Sequence, residues 1–356
     1  MLRVEIRDDP GALDELAGWW DTQTGPTQSV FLRTEWFRAL AGNVLAPDDT
    51  LQILVVRDGE DPVATLPMYR SGRKLRSLTE LSTEAFDLVH DGDSRGVELL
   101  VAELNRSIYV RIEALLGDSP LVATVDRFRG WYADRRTESA YIDLRPGLDQ
   151  LRSSLGKSMR SNLNRGERAL EELGDLRMEP HPSTHRVDQV LADGLALEAA
   201  GWKGAAGVAV ANSARRLAFF TDLAKTAEAE NWLRLGALYL DDRMIAFNYD
   251  LEYAGRIVGI LTAYDEELPR RCSPGQVLLW KTLEKAAPRG VEAYELGGAG
   301  GRNAWKMQWT DKTTPRYYLV GFGTNPRGRV AHFAWRSRDW LRNSGRRKPP
   351  RAVVGA

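Results

Sequence analysis

The pattern of hydrophobic and polar positions breaks this chain into short apolar runs divided by polar turns. Runs over 233–240, 244–252 and 256–264 predict three strands in a meander. Tight turns at Asp241-Asp242-Arg243 and Tyr253-Ala254-Gly255 join them. The period then changes, and 277–287 reads as an amphipathic helix that leads to a short strand over 292–296. The first half follows the same plan. Runs over 51–57 and 62–70 flank Asp58-Gly59-Glu60-Asp61, the mark of a hairpin. A third strand is expected over 74–81, a long helix over 95–116 and a further strand over 121–128.

Helical spacing precedes each meander. Thr34 is placed to cap a helix over 35–42 that shows Trp36, Phe37 and Leu40 on one face. Helices over 187–200 and 212–230 are expected in the second half, the latter with Leu217, Phe220, Leu223, Ala224 and Ala227 at helical spacing. The segment Asp58 to Thr65 echoes Leu240 to Phe247, so the chain reads as a duplicated α+β unit. Arg145-Pro146-Gly147 is the boundary signal. The expected units are 1–146 and 147–325, followed by a basic helix and tail over 326–356 that contains Arg327, Arg329, Arg336, Arg338, Arg342, Arg346, Arg347, Lys348 and Arg351. A helix over 155–173 is dense in Lys157, Arg160, Arg165 and Arg168.

Composition narrows the function classes. With 43% hydrophobic and 28% charged residues, 356 residues have the balance of a globular protein with room for two cores. Lys+Arg and Asp+Glu both number 49, so no global charge directs the chain to nucleic acid or a membrane. No apolar run reaches spanning length, and 1–6 alternates like a strand rather than a signal peptide, which points to the cytoplasm. The single cysteine, Cys272, excludes an internal disulfide, and the four histidines show no zinc spacing.

Two constellations carry candidate chemistry. In Pro269-Arg270-Arg271-Cys272-Ser273-Pro274-Gly275-Gln276 a strand passes through a loop to a helix N-terminus. Bare N–H groups there suit an anionic oxygen cluster such as a pyrophosphate, with Gly275 permitting close approach and Arg270 and Arg271 supplying charge. An ordinary connection with two solvated arginines explains the same residues equally well. In the second, Glu295 to Trp309, a glycine-rich turn precedes Lys306, flanked by Trp305 and Trp309. A lysine beside aromatic walls can donate to an acyl oxygen or a phosphate, or simply cover the rings with its stem. Asp250, Glu252 and Asp265 are candidate bases, and Tyr264 is a candidate acid. Cys272 has no histidine near it in sequence to activate it.

Tyr264-Asp265, then Ser273-Pro274-Gly275-Gln276-Val277-Leu278-Leu279, then Gly297-Gly298 and aromatic-Lys306 together resemble the FemAB-like branch of the GNAT acyltransferases, often found beside cellulose and exopolysaccharide biosynthesis proteins. Leu155 to Arg165, Gly201-Trp202-Lys203-Gly204, Phe31 to Phe37 and Leu66-Pro67-Met68 extend the resemblance over 31–322. It implies two tandem GNAT-like units, each a mostly antiparallel sheet flanked by helices. It also implies direct attack by an amine of a small molecule or saccharide on acetyl-CoA or another acyl-CoA, without a metal. Backbone donors near Thr262 would hold the thioester carbonyl. Arg270, Arg271, Ser273, Gly275, Gln276 and Val277 would hold the pyrophosphate, Lys306 would steady charge, and Trp202, Lys203 and Trp305 would line the acceptor side. One departure stands out: Cys272 and Val277 replace the Gln/Arg and small residue of the usual loop, and Val277 is expected to crowd the cradle. A second reading takes aminoacyl-tRNA as donor, on the strength of the basic helix and tail. A third is a binding protein that has kept the fold without the activity.

Overall fold

The computed structural model describes residues 1–25 and 29–343. The first half runs β1 (Leu2–Arg7), α1 (Gly11–Thr24), α2 (Thr34–Asn43), β2 (Asp49–Asp58), β3 (Asp61–Ser71), β4 (Lys74–Ser77), β5 (Val89–His90), α3 (Ser94–Leu104), β6 (Tyr109–Leu116), α4 (Pro120–Thr124) and β7 (Trp131–Asp143). The second runs α5 (Leu148–Ser154), α6 (Lys157–Glu171), β8 (Leu176–Glu179), α7 (Val187–Ala200), α8 (Trp202–Ala205), α9 (Ala214–Ala229), β9 (Leu233–Leu240), β10 (Arg243–Tyr253), β11 (Arg256–Tyr264), α10 (Pro274–Ala286), β12 (Ala293–Gly298), β13 (Thr313–Phe322) and α11 (Pro326–Asn343). The class is α+β: one large, mostly antiparallel sheet flanked by helices.

All the strands join that one sheet, in the order β1-β2-β3-β4-β6-β13-β7-β12-β11-β10-β9-β8, with β5 beside β3. The order carries the duplication and a twist on it. β13, from the end of the chain, lies between β6 and β7, while β7 pairs on its other side with β12. Each half therefore lends its last strand to the other, and a cut near residue 146 would leave neither sheet closed. The helices repeat this crossing. α2 packs on α9, with the Trp36 ring edge-on to Phe219 at 5.3 Å.

Around β9–β11 the two faces are distinct. Phe247 and Tyr249 face α7 and α9: a side chain at Gly194 of α7 would strike the Phe247 ring at 2.4 Å, and the Tyr249 hydroxyl donates to the Phe220 carbonyl. Ala246 and Leu238 face the other way, into a core shared with Leu278 and Val277 of α10 and Ala169 and Leu170 of α6. α6 presses against the loop before α10, where a Cβ on Gly166 would lie 2.8 Å from the Cys272 carbonyl. That contact fixes the loop.

Three local expectations change. The apolar run 95–116 is not one helix: it turns after Leu104 and continues as β6, because the slot beside β13 outweighs the helix propensity of Glu113-Ala114-Leu115-Leu116. The run 121–128 forms α4 and a 3₁₀ turn, and the strand follows at 131–143. Thr34 opens α2 as its first residue rather than its cap; Arg33 stands at the cap and Thr34 is buried. The basic helix is present as α11, while Arg346, Arg347, Lys348 and Arg351 lie outside the described residues.

The β4–β5 connection decides what reaches the site. Phe86 bridges to Leu115 of β6, and Asp87 accepts the Ser119 hydroxyl at 2.6 Å and the Leu88 N–H. Burial pushes the Asp87 carboxyl up to about 7, against about 3.9 unfolded. Below about pH 4 the group is protonated in both states; as pH rises toward 7 only the unfolded carboxyl ionises, so stability falls across that window. Asp87→Asn should gain at most about 4 kcal/mol at pH 7 and almost nothing near pH 4. Urea unfolding at the two pH values checks this, and an equal gain at both would contradict it.

Candidate functional site

β11 and β12 run parallel for three pairs only, Arg256–Val258 against Ala293–Glu295. Beyond them the strands part. Gly259 begins the divergence, and a side chain there would meet the Tyr294 hydroxyl at 2.8 Å. The result is a notch, with the end of β11 on one wall and Gly297-Gly298 on the other.

The backbone that pairing leaves bare needs partners. The Asp265 N–H donates to Ile245 on β10, so the alternation of an antiparallel strand turns the N–H and C=O groups of Thr262 and Tyr264 toward the notch. The Thr262 carbonyl accepts the Lys203 ammonium at 2.9 Å, and Lys203 is held in turn by the buried Glu198 at 2.8 Å. On the opposite wall the Gly298 N–H donates to both oxygens of Glu84 at 3.1 Å. Gly297 makes room for that carboxylate: its φ is +77°, and a Cβ would fall 2.7 Å from Oε1 of Glu84. The Glu84 carbonyl accepts Nε of the buried Arg316 at 2.5 Å. A cation thus caps one wall and an anion the other.

Lys306 stands between them on a 3₁₀ helix, Gly301–Gln308. It is part-buried, and its ammonium has no hydrogen-bond or ion-pair partner among the described residues. Its amine lies below the ordinary lysine value, first because burial disfavours the charge; the Glu84 carboxylate opposes that shift and the Lys203 ammonium adds to it. On the same segment Arg302 stacks over the Trp202 ring, 5.3 Å from its centroid. Trp305 is part-buried against the core, and Trp309 is a core anchor rather than a wall, stacked on Trp280 and donating to Gln276 at 2.9 Å. Beyond Lys306, Met307 and Gln308 border a cavity of about 850 Å³ shared with Ser154, Ser158, Asn162 and Lys312.

The loop before α10 departs from the sequence reading in detail. Ser273 sits at the cap in left-handed geometry, and its carbonyl already accepts the N–H groups of both Gln276 and Val277. Gly275 is left as the open amide of the first turn, because Pro274 has no N–H. A Cβ on Gly275 would lie 3.0 Å from the Tyr264 ring. Val277 does not crowd this cradle: its side chain is buried against α6, within 3.2 Å of the place a Gly166 Cβ would take. Arg270 and Arg271 are exposed beside the loop and form no ion pair among the described residues. Cys272 is buried, and burial raises its thiol, which makes it packing rather than a nucleophile.

Among the candidate bases, Asp265 uses one oxygen on Arg243 at 2.5 Å and the other on the Glu267 N–H. Glu252 pairs with Arg234 and Arg289. Asp250 is 1% exposed beneath the sheet, bonded to the Tyr294 hydroxyl at 3.0 Å, and burial pushes its carboxyl well above the carboxylate range. Asp265 and Glu252 are occupied with structure, and Asp250 is sealed from solvent with its second oxygen, Oδ2, buried and unpartnered among the described residues. Tyr264 is exposed at the notch, and the partial burial of its hydroxyl raises it. Sequence reasoning missed Glu84 altogether. It lies more than 200 residues from Gly298, and no spacing rule links the two.

Residues 157–307 match the family model of the acetyltransferase (GNAT) domain. No curated protein matches the sequence. Among solved structures, the C-terminal domain (DUF2156) of a putative lysylphosphatidylglycerol synthetase from Agrobacterium fabrum is 17% identical, with a TM-score of 0.57 over 94% of this chain and 98% of that one. FemX is 9% identical, with a TM-score of 0.60 over 90% of this chain and 98% of its own. A tandem GNAT protein from the clavulanic acid biosynthesis pathway is 14% identical, with a TM-score of 0.52 over 91% and 100%. At such identities the likeness is one of fold, and the fold is that of GNAT-type acyltransferases. No helix among the described residues is long and apolar enough to cross a membrane, and no group of His, Cys, Asp and Glu among them could hold a metal ion.

If Glu84 faces Lys306 across the notch, Glu84→Gln removes the charge that holds the ammonium on and lowers the Lys306 value further. At fixed mildly alkaline pH, Lys306 should then react faster with an amine-labelling reagent, followed by peptide mass spectrometry over a pH series. Superimposable curves for the two proteins would place Glu84 out of electrostatic reach.

Proposed function

We propose that the protein is an acyltransferase that moves an acyl group, acetyl foremost, from acyl-CoA to an amine of a small molecule or saccharide by direct attack in the notch between β11 and β12. The observation that carries this is the parting of the two strands. It leaves notch-facing amides on Thr262 and Tyr264 beside Lys306, with an open amide at Gly275 and two unpaired guanidiniums on the same loop. That donor set suits a thioester carbonyl at one end and a diphosphate at the other.

The thioester supplies an activated carbonyl, and this chain's residues supply the rest. The Thr262 amide donates to the carbonyl oxygen, and Lys306, its charge made unstable by burial, steadies the negative charge that builds there. Glu84 receives the incoming ammonium and takes its proton, so that the neutral amine attacks. The Tyr264 hydroxyl, which burial keeps protonated, returns a proton to the departing thiolate. Gly275, Arg270 and Arg271 hold the diphosphate, assisted by Ser273 at the cap, with Gln276 contributing its position rather than its amide. Trp202, Lys203 and Trp305 shape the acceptor side.

A second reading keeps the notch and changes the donor to aminoacyl-tRNA. Lys157, Arg165 and Arg168 lie exposed along α6 and form no ion pair with a carboxylate among the described residues, a stripe that could follow phosphates. FemX shares the fold at 9% identity.

Isothermal titration with CoA and acetyl-CoA separates the two. Micromolar binding is expected, and Arg270→Ala with Arg271→Ala should weaken it about tenfold or more through lost charge-assisted contacts. No heat at millimolar ligand would reject the CoA donor and move attention to tRNA retention, which must fall with salt if the α6 stripe carries it.

A further inference from the structure

One face of the notch carries more exposed apolar surface than a site for a small polar amine requires. Leu81 is 79% exposed, and Trp202, Val208 and Leu217 are exposed as well. These four lie far apart in sequence but are drawn together by Arg216. Its Nε reaches Glu80, next to Leu81, at 3.3 Å, and its Nη1 donates to the Val208 carbonyl at 2.9 Å, while Leu217 is its neighbour on α9. The Val208 N–H donates in turn to the Lys203 carbonyl, beside Trp202, and the Lys203 ammonium ends in the notch at Thr262. The patch and the notch are therefore joined through a single lysine. The patch follows α7 and α9, on the opposite side of the sheet from α10 and its loop, which leaves the donor on one face and the patch on the other. Exposed apolar side chains gathered in this way beside a site, rather than scattered singly, mark something that lies on them.

The notch argues for what that is. Glu80 and Glu198 are paired with Arg216 and Lys203, whereas the Glu84 carboxylate accepts a backbone amide and forms no ion pair among the described residues, with the Lys306 ammonium in electrostatic reach across the notch. A protein laid over the patch would close the mouth. A molecule that covers the patch with its body and fills the notch with its own head would not.

We propose that the acceptor is an amphiphile: a primary amine on an apolar body, with its head at Glu84 and its body along Leu81, Trp202, Val208 and Leu217. This rests on the acyl-transfer reading of the notch. The test nevertheless uses no donor, so a failure of amine recognition is told apart from a failure of the CoA assignment.

Isothermal titration of the full chain with n-decylamine and n-butylamine, both below any micelle concentration, reads the body alone, since the heads are identical. Each methylene leaving water tightens binding about fourfold, so decylamine should bind at least about tenfold more tightly even if much of its chain stays wet. Leu81→Ser with Leu217→Ser, both exposed positions, should reduce that preference to about threefold or less without moving the melting temperature. Glu84→Gln should weaken both amines alike. Equal affinity of the two amines in the native protein, or a decylamine preference that survives the double serine variant, would overturn the proposal. Sedimentation with vesicles gives the source. Retention on phosphatidylethanolamine but not phosphatidylcholine vesicles puts the amphiphile in a bilayer, and retention on neither, with decylamine still preferred, makes it a soluble molecule. Equal retention on both, with no amine to recognise on the second, would count against the head at Glu84.

Discussion

The parallel ladder between β11 and β12 ends after three residue pairs, and the proposed chemistry follows from the backbone it leaves bare. A strand that loses its neighbour inside a protein exposes donors and acceptors that water or side chains must satisfy. Here Lys203 meets a carbonyl on one wall and Glu84 meets an amide on the other, while the Thr262 and Tyr264 amides of β11 turn toward the notch. The same arrangement makes a cleft, charges its two sides oppositely and leaves donors aimed into it. Burial then lowers Lys306, with Lys203 adding to the shift and Glu84 opposing it.

The first half contains the matching junction, between β4 and β6, and treats it differently. There Phe86 bridges to Leu115, and Asp87 is locked to Ser119, so the segment that could have flanked a second notch fills it. Two residues before Phe86, Glu84 crosses to the notch between β11 and β12. One half has thus filled its own junction and lends a carboxylate to the other's. Exchange of β7 and β13 makes this possible, because it lays the two halves along one continuous sheet with the β4–β5 connection against the end of β12.

Glycines appear where this geometry leaves no room. At Gly297 a positive φ and the Glu84 oxygens both exclude a side chain; at Gly259 the Tyr294 hydroxyl does. In each case the close approach is between segments from different parts of the chain, and so the reason for the glycine is not local.

The sequence by itself determined the meander of β9–β11, the loop and helix after it, and the duplicated plan. All of these rest on near-neighbour periodicity and turn chemistry, which a chain carries wherever it folds. It could not determine that Glu113 to Leu116 would be strand, that the polar run 131–143 would lie at the centre of the sheet, or that Val277 would turn inward from the loop. Nor could it show that Asp250 would be sealed beneath the sheet, or that Glu84 would arrive from the other half. Those outcomes depend on which distant segments pair. That choice is made by the exchange of two strands and the burial it brings, and local propensity has no information about either.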